Sequence, residues 1–295
     1  MREIHYPITA EYEGKTIEQF LKQAQGYSSR TIIKLKHYPK GIQRNGAHAR
    51  TIDQLAQGDV VTICFQDPDT NLDNYIRSNI AVGIPYQDSD VVVFNKPPYM
   101  PCHQSCGHAA DTLANVFATY CDKLGQRLMY RPLNRLDRDT TGAVLVAKNR
   151  HAAAAITGGF HKVYQAVVCG EVFPREGRIE APIRREQPEE MRRIVAPDGQ
   201  RAVTNYRVAA VAQGYSLVDF TLETGRTHQI RVHMAHLGFP LLGDPMYGQP
   251  SPLIGRQALH CRKIAFCHPV TGEEVTVECP LPQDMAQVCQ RLGLR

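Results

Sequence analysis

The stretch TNYRVAAVAQGYSLVDFTLETG, residues 204–225, limits the fold more than any other part of the chain. Two apolar runs flank Gln213-Gly214, a dipeptide suited to a tight reversal. In the second run Val218, Phe220 and Leu222 alternate with Asp219, Thr221 and Glu223. Alternation of period two beside a turn marks an antiparallel hairpin with one covered face. DVVVFNKP (90–97), TGAVLVAKN (141–149) and VYQAVVCGEV (163–172) read as further Val-rich strands. THQIRVHMAHLG (227–238) changes to helical period, with Ile230, Met234 and Leu237 on one face and Gly238 as its stop. Strands joined by hairpins, with few helices between them, predict an α+β domain with a mixed, largely antiparallel sheet rather than a doubly wound parallel one.

Ahead of these strands, residues 1–66 read as a small α+β unit. TIEQFLKQA carries Ile17, Phe20 and Leu21 at helical spacing, and SSRTIIKLKH offers Ser28 or Ser29 as the N-cap of a second helix. GIQRNGAHART holds Asn45-Gly46, a strong hairpin signal, and LAQGDVVTICF follows with Val61, Ile63 and Phe65 alternating as a strand. The polar stretch 67–79 is expected to link this unit to a larger domain over 80–295.

Charge is unevenly placed. The net charge is only +5, yet no acidic residue lies between Glu18 and Asp53, where Lys22, Arg30, Lys34, Lys36, Lys40, Arg44 and Arg50 all fall. Cations without counterions, interleaved with Tyr27, His37, Tyr38 and His48, suit a phosphate-facing surface that binds RNA; a solvated face is the plainer alternative. Nine cysteines include no C-x-x-C pair. Cys102 and Cys106 stand near His103 and His108 but lack the second pair of ligands a zinc site needs, so free thiols and no metal are expected. No run approaches the roughly 20 apolar residues of a membrane helix, and the N-terminus lacks the apolar core of a signal peptide. A cytoplasmic protein without a membrane partner is expected. No glycine-rich phosphate loop is present, which argues against a nucleotide cofactor. No face stands out for self-association, so a monomer is the expectation.

Two segments concentrate charge where chemistry needs it. In NRLDRDTTG, Asp137 lies between Arg135 and Arg138 just ahead of a strand. Neighbouring cations favour its ionised form, fit to act as a nucleophile or base; equally, the segment reads as a salt-bridged turn capped by Asp139 and Thr140. In ETGRTHQIRVHMAHLGFPLLGDPMYG, residues 223–248, Arg226, His228, Arg231 and His233 gather at a helix start, an arrangement suited to holding an anion or aiming a carboxylate. Arg231 flanks the apolar face and needs a partner, for which Asp137 is the candidate. His228 and His233 are five apart, off the spacing of a helical metal pair. Tyr164, in HKVYQAVVCGEV, reads first as a core residue of a strand. Arg184, Arg185, Arg192 and Arg193 form another possible RNA contact, although Glu186, Glu189 and Glu190 among them equally suit a solvated loop.

R-L-D-x-x-T-[ST]-G, K-x-Y, T-G-R-T-H-Q-I-R-V-H and G-D-x-x-Y-G, in that order, resemble the RluA family of pseudouridine synthases. VVVFNKPPYMPCHQS and GRQALHCRKIAFCHPVTGEEVTVECPLP extend the likeness over about 80–285, and the N-terminal unit resembles a degenerate ribosomal-protein-type RNA-binding module. The resemblance implies isomerisation of uridine to pseudouridine in structured RNA, large-subunit ribosomal RNA first and transfer RNA second, with no cofactor. It implies that Asp137 engages the nucleoside, that Tyr164 stacks on the base and helps remove its ring proton, and that Arg231 pairs with the aspartate. Arg135 joins Lys22, Arg30, Lys34, Lys36, Lys40 and Arg44 as expected RNA contacts. Two positions depart from the family pattern: Asn134 stands where His is usual, and Thr141 where Ser is commoner. A non-catalytic RNA-binding or ribosome-assembly factor on the same fold is the alternative, and a glycoside hydrolase using Asp137 with Asp139 is a third reading.

Overall fold

The structure is a computed structural model that describes residues 2–65 and 72–294. Part of the expected 67–79 linker therefore lies outside the described residues. The N-terminal portion runs β1 (Arg2–Pro7), α1 (Ile17–Gln23), α2 (Ser29–Lys36), β2 (Ile42–Arg44), β3 (Ala47–His48) and β4 (Val60–Phe65). Its four-stranded sheet has the order β1-β4-β2-β3. Thr16 caps α1 in a capping box with Gln19, and Ser28 caps α2 by accepting from the Thr31 N–H. Asn45 and Gly46 both take positive φ (51° and 80°), as a two-residue hairpin turn requires. β1 was not anticipated, although Ile4 and Tyr6 alternate inward along it. The helices cover one face of the sheet, and Ile17, Phe20, Leu21, Ile32, Leu35 and Ile63 close a core of their own.

The remaining elements are β5 (Gly83–Gln87), β6 (Val91–Lys96), α3 (Leu113–Lys123), β7 (Thr141–Ala147), α4 (Arg150–Ile156), β8 (Phe160–Cys169), β9 (Glu176–Glu180), β10 (Ile183–Arg185), β11 (Arg193–Val195), β12 (Val203–Ala212), β13 (Tyr215–Leu222), α5 (Gln229–His236), β14 (Leu259–Cys267), β15 (Glu274–Glu278) and α6 (Gln283–Leu292). Nine of these strands form one sheet, β5-β6-β7-β14-β8-β13-β12-β9, with β15 on β14. Only β7 and β14 run parallel; every other pairing is antiparallel, so the sheet is mixed and largely antiparallel as expected. The β12–β13 hairpin reverses at Gln213-Gly214, both at positive φ. β7 is buried at every residue, and after Thr141 its sequence is accordingly an unbroken apolar run. α6 closes a second core against Val167 and Leu217 through Met285, Val288 and Leu292.

Two expectations need correction. The helix expected over 227–238 spans Gln229–His236, and Leu237 lies beyond it, 40% exposed, while Ile230 and Met234 point inward. Leu237 is the C-cap, and Gly238, at φ 85°, turns the chain out of the helix directly after it. The acid-free N-terminal stretch is not free of counterions in the fold. Lys22 bonds Glu18 at 2.7 Å and Lys36 approaches it at 4.0 Å; Arg44 pairs with Asp59 (2.6 Å) and Arg50 with Asp53 (3.3 Å). Acids just outside the sequence window fold back onto it. Among the described residues Arg30, Lys34 and Lys40 keep no ion pair.

The parallel junction positions the functional end of the sheet. Thr141 faces His260, Gly142 faces Cys261, and Cys261 faces Tyr164 across β14 and β8. The loop entering β7, the start of β14 and the middle of β8 thus share one row. Leu222 ends β13 beside them, so the 223–228 loop and α5 begin over the same end.

Candidate active site

Asp137, Tyr164 and Arg231, drawn from three separate parts of the chain, line one cavity of about 60 Å³. It opens into a cleft of about 1080 Å³, and Arg135, Leu136, Asp137, His228 and Arg231 border both. Tyr164, Leu222, Ile230 and Leu259 supply an apolar floor and wall. Such a narrow, part-apolar recess, opening into a wide cleft lined by both apolar and charged side chains, accepts a flat ring turned out of a larger polymer.

Arg231 is buried, and its guanidinium serves two carboxylates. Nε and Nη2 form a fork to Asp244 (2.7 and 2.8 Å), while Nη1 reaches Asp137 Oδ2 at 3.2 Å. The expected pairing with Asp137 is therefore present, but the stronger partner is Asp244, fully buried and held in turn by the backbone N–H groups of Met246 and Tyr247. Burial works against the Arg231 charge, and the two carboxylates outweigh it, holding the pKa above its ordinary value. His228 Nε2 lies 3.8 Å from the same Asp137 Oδ2. One carboxylate oxygen is thus held, and Oδ1 has no hydrogen-bond partner among the described residues.

His228 sits in the left-handed region (φ 59°), with Nδ1 2.9 Å from the Tyr247 hydroxyl. That hydroxyl already accepts the Arg193 N–H at 2.8 Å. Its own proton is then available to His228 Nδ1, which leaves Nε2–H facing Asp137. Burial pushes the His228 pKa below the ordinary histidine value, with Asp137 opposing. The Tyr247 ring also lies 5.1 Å from the Arg231 guanidinium. His233, grouped with these residues by sequence, instead points away: Nε2 donates to Ala181 O and Nδ1 meets Thr204 Oγ1, both at 2.9 Å, as a scaffold. Arg226 is exposed at the cavity edge and donates to Arg201 O.

Tyr164 is buried, with its hydroxyl against the Cys261 thiol, and burial raises its phenol pKa well above the ordinary value. It meets any bound ring as a neutral aromatic. Arg135 is exposed at the cavity mouth; none of the six N-terminal cations expected to touch RNA lines either cavity. Asp139 is bonded by Arg138 (2.8 and 3.1 Å) and does not line the smaller cavity, so no carboxylate pair flanks a single bond there.

Sequence reasoning missed what holds the Asp137 loop. Lys96, fully buried, donates to the carbonyls of Pro97 (3.0 Å), Met100 (2.8 Å) and Arg138 (2.9 Å). Arg256, also buried, forks onto Asp284 and donates to Asp139 O at 3.0 Å. Gln257 reaches Thr140 Oγ1, and Thr141 Oγ1 meets His260 Nδ1 at 2.8 Å. The departure at Asn134 has a structural account: its amide donates to Ala143 O (3.0 Å) and accepts the Leu145 N–H (2.8 Å), which fastens the loop to β7. Cys102, weighed as a metal ligand, is a buried thiol against the Leu136 backbone.

Residues 90–236 match the family described as RNA pseudouridylate synthase. Among similar proteins, Uncharacterized RNA pseudouridine synthase YjbO of Bacillus subtilis is 38% identical, over 89% of this chain and 94% of its own length. YlyB of the same organism, under the same description, is 37% identical over 99% of both chains. Ribosomal large subunit pseudouridine synthase D of Haemophilus ducreyi is 32% identical over 97% of this chain and 93% of its own. Among solved structures, Human RNA Pseudouridylate Synthase Domain Containing 1 superposes with a TM-score of 0.56 at 24% identity, over 73% of this chain and 96% of that one, a likeness of fold.

Proposed function

The chain belongs to the RNA pseudouridylate synthase family, and on that premise we propose that Asp137, Tyr164 and Arg231 carry out its isomerisation of uridine, acting on large-subunit ribosomal RNA. The observation that supports the residue roles is their convergence on one cavity at the end of the β7–β14–β8 row. In the reaction the bond from C1′ to N1 breaks, the base turns, and C1′ bonds to C5. The C5 proton leaves and N1 gains one, so no electrons are exchanged and no redox partner is required.

Asp137 presents Oδ1 to the nucleoside, while Arg231 holds Oδ2 and aims the carboxylate, with His228 Nε2 3.8 Å away. Tyr164 is the platform on which the base lies. Because its phenol is held protonated, Asp137 is the group with capacity to take the C5 proton, with the tyrosine placing the ring beside it. The cavity lies beneath the cleft, so the uridine is extruded from its stack before reaction. Arg30, Lys34 and Lys40 are the N-terminal cations free to meet phosphate. The Haemophilus relative's name supports the ribosomal substrate; transfer RNA is the second reading. Nine free cysteines accord with the cytoplasm, a reducing compartment.

The test is pseudouridine mapping on total RNA from cells lacking the chain, rescued with wild type or Asp137→Asn. Sites restored by wild type alone, in large-subunit RNA, are the expected result. Equal rescue by Asp137→Asn would remove the catalytic assignment and favour an RNA-binding factor; sites only in transfer RNA would replace the substrate.

A further inference from the structure

The β10–β11 hairpin carries an arrangement that the reaction does not use. In its register Arg185 lies directly opposite Arg193. Like charges facing each other across a strand pair are unfavourable by themselves. Neither guanidinium has a carboxylate partner among the described residues. Arg185 Nη1 donates to Pro188 O, and Arg193 Nη1 to the carbonyls of Glu190, Met191 and Arg192. Arg226 is held in the same way, by Arg201 O at 3.1 Å. Backbone carbonyls fix these groups in place without cancelling their charge.

All three line a pocket of about 360 Å³. The one carboxylate on its wall, Asp198, is taken by Arg184 at 2.9 Å. Glu186, which the sequence left as a possible neutralising partner, is engaged by Arg192 (3.3 Å), and Glu189 and Glu190 do not line the pocket. Arg226 borders both this pocket and the small cavity above Tyr164, and Thr227 borders both this pocket and the larger cleft. The three spaces therefore adjoin.

We propose that this pocket binds a phosphodiester of the RNA strand next to the extruded uridine, with Arg185, Arg193 and Arg226 as its donors. The inference rests on the reading of the chain as an RNA uridine isomerase and adds a site to it. Arginine forks match phosphate oxygens, and donors already oriented lose little freedom on binding. A bound phosphate also removes the repulsion across the hairpin. An anion held here fixes the strand on one side of the target nucleotide, which is what keeps an extruded base over Asp137 instead of returning to its stack.

The probe is a short oligouridylate, titrated against wild type, Arg193→Gln and Arg226→Gln over a salt series, with circular dichroism to verify the fold. Each variant is expected to bind about tenfold more weakly and to lower the slope of log affinity against log salt by about 0.7, one single-strand phosphate. A neutral methylphosphonate walked along the oligonucleotide needs no change in the protein. At one linkage it should weaken wild type by the same factor and leave the variants unaffected. Unchanged affinity and slope in both variants, or a neutral linkage that acts equally on variants and wild type, overturns the inference. Pseudouridine formation by wild type is read separately. If it is intact while the variants bind like wild type, only this pocket is refuted. If it is absent while binding changes as expected, the enzymatic reading fails and the phosphate pocket stands.

Discussion

Arg231 is shared unequally between two carboxylates, and the inequality explains both. The fork to Asp244 is buried and bidentate, so it sets the guanidinium plane; the single bond to Asp137 takes what remains. Asp244 is thus a positioning residue acting on Asp137 through Arg231. Asp244→Asn keeps the shape but leaves a buried arginine without its main counter-charge. It should cost roughly 3–5 kcal/mol in urea unfolding and lower turnover at saturating RNA. A loss below about 1 kcal/mol, the range of a surface ion pair, would show that Asp244 does not anchor the site. Asp137 and Arg231 were legible as charged candidates within short motifs, whereas Tyr164 reads by itself as core and takes its proposed part from the family resemblance alone. Asp244 stands in G-D-P-M-Y-G, yet its part depends on that turn closing over α5, which spacing does not encode. Lys96 and Arg256 left still less trace: Lys96 bonds only backbone carbonyls and so has no partner residue to find, and the carboxylate that Arg256 forks onto, Asp284, lies on α6 with no motif linking the two.

The loop from Asn134 to Gly142 is the element on which the site depends, and nearly every residue of it is tied from outside. Lys96 holds the Arg138 carbonyl and Arg256 the next one, Asp139. Burial pulls the Lys96 pKa down to about 8, with Cys102, Asp139 and Asp137 opposing. As an ammonium it has three N–H donors for three carbonyls; as a neutral amine it has two. Activity should therefore fall as pH rises through about 8, when one carbonyl loses its donor and the loop relaxes. Lys96→Met is expected to lower kcat about a hundredfold, the cost of a misplacement near 1 Å, and to abolish that alkaline limb. A variant that kept the limb would assign it to another group. Gly142 closes the loop where β7 meets β14. It sits at φ 110°, and a Cβ would lie 2.2 Å from the Cys261 carbonyl oxygen. Gly142→Ala should cost roughly 3 kcal/mol or more, measured by denaturant midpoint; a change under about 1 kcal/mol would mean that β14 can move away. The motif glycine was legible as a turn residue, but the parallel contact that demands it arises between segments far apart in the chain.

The molecule as a whole joins two cores through a mixed contact. Arg2 forks onto Asp90 (2.9 and 2.8 Å), which also accepts from Asn149. The His151 ring stacks on Tyr27 and Phe65 at 5.0 and 4.8 Å between centroids. His151 is half-buried, and burial pushes its pKa, like those of the buried His228, His233 and His260, below the ordinary value. These four are dispersed over the N-terminal contact, the Asp137 cavity, the scaffold behind α5 and the parallel junction, so their titration reports on the whole fold. In the unfolded chain each takes a proton near pH 6.5; in the folded protein each resists it until lower pH. The unfolded state then binds more protons, and stability falls as pH drops below about 6.5 through the depressed folded values, by up to about 1.4 kcal/mol per pH unit for each histidine. The window from pH 7.5 to 5.5 lies above the range where ordinary carboxylates take up protons, which isolates the histidines. Urea midpoints should decrease across it. His233→Gln retains one acceptor and one donor for Thr204 and Ala181 but cannot titrate, so it should reduce the dependence by close to one proton. A flat profile for the wild type would mean that these rings accept protons in place. The hydrogen bonds at the parallel junction and behind α5 would then survive with charged imidazoles, contrary to the tautomers that fix His233 and His260 as neutral bridges.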